Sequence, residues 1–298
     1  MQRVVSYRQG DRSEYLAQYI LSALAISVPV PRQEDVGSDF HCSLLKKENG
    51  NLRPYLPFNI EIKSFGVKDI SFGGVTKSGK WRGHEVDQLC QTDTPFLIGI
   101  VNKDDQWMDV FSTVNRYFVL YQWTGKGVPR EVRLVPYEPV DEGHLGAGSC
   151  EELSAARDMP GWLWRLPIGN PIIRISVADA ESEERCEMAK QILEPYLRMD
   201  QENAVFARIE LGYFCWPLII RTGQLMREGG VGYRAIHPVP ERQLRVLARI
   251  VGSLLQTYEL AGSKKEIREW ETILSQLPLG PEPFVAGVIK KAMAFARA

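Results

Sequence analysis

The sequence predicts a mixed α/β domain followed by a mainly α-helical C-terminal region. Two observations carry this expectation. The first 125 residues run helix, three strand-like stretches, helix and an apolar strand, and from about Ala178 the apolar positions switch to long helical periodicity. At 298 residues the chain is long enough for two ordinary domains, and the expected division is 1–175 and 176–298.

The first element is a helix over 11–27, with Asp11 as N-cap, Glu14 closing a capping box, and Tyr15, Leu16, Tyr19, Ile20, Ala23 and Leu24 at helical spacing. "SVPVPRQ" reads as an edge strand, because its prolines cannot donate to a ladder. "SDFHCSLLKK" (38–47) and "PFNIEIKS" (57–64) read as strands joined by the turn-rich "ENGNLRP". A polar Gly- and Lys-bearing loop, 65–81, precedes a helix at 82–91, and "PFLIGIVNK" is apolar throughout, as in a strand buried on both faces. Residues 106–123 continue the sheet, the Gly/Pro-rich 143–149 and 158–171 read as connections, and "PIIRISV" adds a strand. Four helices are expected after that, over 180–199, 241–260, 264–277 and 283–298.

Composition narrows the function classes. The chain is 44% hydrophobic and 24% charged, with no apolar run long enough for a membrane helix and no leader-like N-terminus, so a cytoplasmic protein without membrane contact is expected. Five scattered cysteines without CxxC spacing fit reduced thiols better than disulfides or zinc. The net charge of −1 conceals a basic window: residues 41–82 hold eight cations against three anions.

That window contains the residues that suggest chemistry. On the strand 57–64, alternation puts Phe58, Ile60 and Ile62 on one face and Asn59, Glu61 and Lys63 on the other. If the preceding strand pairs antiparallel with it, Asp39 comes close to Glu61. Two carboxylates and the carbonyl of Ile62 would suit a hard divalent cation. Such a cation activates water and polarises a phosphodiester, and Lys63 would orient that water.

"GSDFHC" followed by "PFNIEIKS" resembles the signature of the PD-(D/E)XK nuclease superfamily, with Asp39 as the motif aspartate and Glu61-Ile62-Lys63 as its ExK. More narrowly, it is similar to bacterial members linked to phage defence. The resemblance covers 11–125 and implies a restriction-endonuclease-like mixed sheet flanked by helices. It implies a Mg²⁺-dependent endo- or exonuclease, with Mn²⁺ able to substitute, acting on DNA rather than RNA, with Asp39, Glu61 and Ile62 holding the metal. Some members also use a first-helix glutamate, here Glu14, or a glutamine on the helix after ExK, here Gln88. Ser38 stands where the family's literal motif has proline.

Around this core, Lys68, Lys77, Lys80 and Arg82 are candidate nucleic-acid contacts. Gly74 to Lys80 nearly matches a nucleotide-binding loop, but Trp81 follows where a magnesium-binding hydroxyl belongs. His41 reads as a local hydrogen-bonding residue, and Trp162 and Trp164 as core rather than base-stacking aromatics. The C-terminal helices would bind substrate, form a homodimer, or contact a protein partner. The alternative reading is a non-catalytic scaffold on a degenerate nuclease fold.

Overall fold

The computed structural model describes residues 2–31, 37–75, 81–117, 129–138, 149–153 and 161–208, with four short strands between 212 and 235. Helix α1 (Gln2–Ser22) leads into strands β1 (Ala25–Pro29), β2 (Phe40–Glu48) and β3 (Asn51–Ser64). β4 (Ile70–Gly73) and α2 (Gly83–Gln91) follow, then β5 (Phe96–Asn102) and β6 (Trp107–Ser112). β7 (Pro129–Pro136), β8 (Ser149–Leu153) and β9 (Gly161–Gly169) precede β10 (Ile173–Ser176), α3 (Val177–Ala180) and α4 (Glu183–Arg208).

The principal sheet has the order β1-β2-β3-β5-β6-β10. β1, β2 and β3 form an antiparallel meander, β3 is parallel to β5, and β6 and β10 continue antiparallel. The parallel step needs a crossover, which β4 and α2 supply. All seven residues of β5 are buried, as the apolar run requires. β1 lies at the sheet edge, in keeping with its proline.

Several expectations need correction. The first helix spans 2–22, so Asp11 is inside it and no N-cap, and the chain is already extended at Ala25. Its buried stripe is Ser13, Ala17, Ile20 and Leu21, continued by Leu24 in the turn that follows, while Tyr15 and Tyr19 are exposed. The 48–54 loop is a tight hairpin: Asn49 and Gly50 both have positive φ, 51° and 80°, the conformation that favours Asn-Gly. The loop 65–81 contains β4, and the connection 158–171 contains β9. Those two strands join β7 and β8 in a second, four-stranded sheet of order β4-β7-β9-β8. Its apolar side, with Val132, Leu134, Trp164, Leu166 and Ile168, packs with α2 against Ile98, Ile100 and Phe111 of the first sheet. Trp164 is therefore core.

The chain crosses residue 175 inside a β-to-helix junction. β10 runs directly into α3, whose capping box at Ser176 and Asp179 closes its first turn. Past residue 208, the described segments are the hairpin-like pairs β11 (Gly212–Cys215) with β14 (Gly232–Ala235), and β12 (Ile219–Arg221) with β13 (Gln224–Met226). The helices expected over 241–260, 264–277 and 283–298 lie outside the described residues. Among the described residues no helix is long and apolar enough to cross a membrane.

α4 is tied to the sheet by a buried ion pair. Asp200 accepts from the Phe96 amide (2.9 Å) and lies 2.8–3.0 Å from the Arg116 guanidinium, with both side chains at most 2% exposed. Burial alone would favour a neutral Arg116, yet Asp200 holds its pKa above the ordinary value. Asp200→Ala would leave that charge buried and alone. It is expected to cost about 3–5 kcal/mol in urea unfolding, whereas Arg198→Ala, in a solvent-accessible, half-buried pair with Glu194, should cost under about 1 kcal/mol.

Candidate functional site

β3 organises the site through its alternation. Phe58, Ile60 and Ile62 are buried. α1 covers this side, where Ser13 Oγ lies 2.8 Å from Ser64 Oγ. Glu61 and Lys63 therefore point to the opposite side, beside Ile98 and Ile100 of β5, which themselves pack against α2 and the second sheet. There they form an ion pair, Glu61 being 12% and Lys63 35% exposed.

The antiparallel β2–β3 pairing brings Asp39 to the same place. The Asp39 amide donates to the Ile60 carbonyl (3.0 Å), and its carboxylate Oδ2 accepts from the Ile62 amide (2.6 Å). Asp39 is thus fastened to the peptide between Glu61 and Lys63. This makes a half-buried set of two carboxylates and one ammonium at the end of β2. Among the described residues no three His, Cys, Asp or Glu side chains cluster as a metal-binding group. Two carboxylates and a main-chain carbonyl still fit Mg²⁺ by donor type, because that ion takes only oxygen and keeps several waters.

The other predicted residues divide. Gln88, half-buried on α2, is brought near: its Oε1 would lie 3.8 Å from a Cβ built on Gly37, two residues before Asp39. Glu14 is half-buried on α1, next to Ser13, which meets Ser64 at the end of β3. Lys68 is exposed after β3, Arg82 pairs with Glu85 (3.1 Å), and Lys77 and Lys80 lie outside the described residues. His41 Nδ1 is 2.7 Å from Asn59 Oδ1, a local partner. Burial pushes the Cys42 and Cys90 thiols up to about 12, which excludes them as nucleophiles at neutral pH.

Folding also redistributes the basic window. Lys46 and Arg53 meet Glu48, Lys47 meets Glu183 on α4, and Arg82 meets Glu85 on α2. A depression of about 700 Å³ beside Lys47 is lined by Glu183, Glu184 and Glu187, whose charge would repel phosphates.

No family model, curated protein or solved structure matches the chain.

Sequence reasoning missed two groups of residues. Glu85 and Glu131 secure β4: Glu85 accepts from the Gly73 amide (3.0 Å), and Glu131 from Ser71 and Arg133 (both 2.6 Å). Gly73 is required there, since its φ is 83° and a Cβ would lie 2.5 Å from the Arg130 carbonyl oxygen. Asp109, fully buried on β6, accepts from Tyr137 Oη (2.8 Å) and from Arg174 Nε and Nη2 (2.7 and 2.8 Å). Nothing local flags Asp109, because its partners come from β10 and the end of β7.

Two predictions follow from these contacts. Asp39→Ala removes the acceptor for the Ile62 amide and should cost about 1–3 kcal/mol in denaturant unfolding, while Asp39→Asn, which keeps an acceptor oxygen, should cost less. Burial works to raise the Glu131 pKa, but Arg133 and Ser71 hold it below its ordinary 4.5. Its contribution to stability is therefore present above that value and lost as pH falls through the lowered pKa. Glu131→Gln should flatten that part of an acid-unfolding curve.

Proposed function

We propose that the chain is a metal-dependent phosphodiesterase acting on nucleic acid, DNA in preference to RNA. The observation that carries the reading is the hydrogen bond from the Ile62 amide to the Asp39 carboxylate. It fixes an acid from the end of β2 against a strand that presents Glu61 and Lys63 on one face. The strand order around it supports the same reading: an antiparallel meander, a helical crossover and a parallel partner strand fit the fold that the PD-(D/E)XK resemblance implies.

In this reading Asp39, Glu61 and the Ile62 carbonyl would hold Mg²⁺ or Mn²⁺. The bound cation would polarise the phosphodiester and lower the pKa of a coordinated water. Lys63 donates from its ammonium to the attacking water or to a phosphate oxygen, where negative charge grows. Gln88 lines the approach to Asp39 from α2. With one such site per chain, cutting both strands of a duplex would call for two copies.

The test is cleavage of plasmid, linear DNA and RNA with Mg²⁺, Mn²⁺ or EDTA. Wild type should cut only with metal, and Asp39→Asn, Glu61→Gln and Lys63→Met should each lose on the order of 10²–10³ in rate. The alternative is a non-catalytic scaffold in which Glu61 and Lys63 serve only as an ion pair on the sheet. Absence of cleavage on every substrate, with a folded wild-type protein, would decide for the scaffold.

A further inference from the structure

The face of the sheet that carries Glu61 and Lys63 continues into a second surface. Register places Lys63 beside Ile100, Ile100 beside Asp109, and Asp109 beside Arg174. Two residues beyond Lys63, about 7 Å along the chain, Phe65 meets Trp107 edge to face, with centroids 5.2 Å apart at 75°. The Arg174 guanidinium lies over the Trp107 ring, 3.8 Å from its centroid. Phe65 is 55% exposed and the Arg174 side chain 54% exposed.

The arrangement holds a flat group in place. The bidentate contact to Asp109 fixes the guanidinium edge, and Trp107 supports one of its faces. Arg174 is thereby both oriented and neutralised, and Asp105 lies near enough to be felt by it. A phosphate gains little at such a place. An unpaired base gains more, because guanidinium planes and aromatic rings stack on bases with little dependence on sequence.

We infer that Phe65, Trp107 and Arg174 form a stacking platform for an unpaired base of the strand whose phosphate lies at Glu61 and Lys63. This rests on the nucleic-acid reading above and narrows its substrate to single strands, or to duplexes with an unpaired end or flap.

Binding of a short fluorescein-labelled single strand of DNA to the full chain in EDTA tests it, beside a blunt duplex and an RNA strand of the same sequence. Phe65→Ala removes the exposed ring. Arg174→Lys keeps the charge opposite Asp109 but loses the plane. Each should weaken single-strand binding on the order of 10-fold. The salt dependence and the duplex affinity should remain those of wild type, as should the thermal midpoint of Phe65→Ala; Arg174→Lys gives up one hydrogen bond to buried Asp109, so its binding is measured below its own midpoint. Loss on the RNA strand alone also upholds the platform and assigns it to RNA. Unchanged single-strand affinity in both variants, or equal loss on the blunt duplex, overturns the platform; metal-dependent cleavage would then still stand. A wild-type protein that neither binds nor cuts any of the three overturns the platform together with the nuclease reading.

Discussion

Burial of Phe58, Ile60 and Ile62 on one side of β3 is the constraint from which the site follows. In a strand, three apolar side chains at alternate positions leave the intervening ones no choice of side. A slip of one residue would bury Glu61 and Lys63 under α1 and expose the isoleucines, so the register must be specified closely. Three devices specify it. The Asn49–Gly50 turn sets the β2–β3 hairpin, and an irregularity between Leu44 and Leu45 adjusts it before the motif. On the other side, Gly99 lets Ile62 approach so closely that an added Cβ would lie 2.8 Å from its Cδ1.

The electrostatics of the site are local. Among the described residues of the basic 41–82 window, Lys47 and Arg82 are taken by Glu183 and Glu85, which reach in from α4 and α2. What persists on the β3 side is an ordered set of charges: Asp39 against a main-chain amide, Glu61 against Lys63, and Asp109 against Arg174. Two of the acids sit where a hard cation would be useful, and the third orients a cation over an aromatic ring.

The principal sheet was legible where the pattern was local. The alternation of 57–64, the apolar run of 95–103 and the proline-bearing edge strand all have short-range causes, and each took the expected place. The second sheet was not legible in the same way. β4 has only four residues inside a Gly- and Lys-bearing stretch, and the glycines and prolines around "GWLWRLPIG" drew attention from the alternation of Trp162, Trp164, Leu166 and Ile168. Asp11 and Glu14 matched a capping box, but the helix had already begun upstream, and a cap motif cannot announce that it is inside a helix. The site divides along the same line: Asp39, Glu61 and Lys63 were readable from one hairpin, whereas the Asp109–Arg174–Trp107 group depends on strands far apart in sequence.

The claim that everything else leans on is that β3 and the end of β2 together hold a divalent cation. Anomalous diffraction from crystals grown with Mn²⁺ tests it without relying on turnover. The account predicts a peak between the carboxylates of Asp39 and Glu61, within bonding distance of the Ile62 carbonyl, and its disappearance in Glu61→Gln. Well-ordered crystals with no peak there, or with manganese only among Glu183, Glu184 and Glu187, would contradict it.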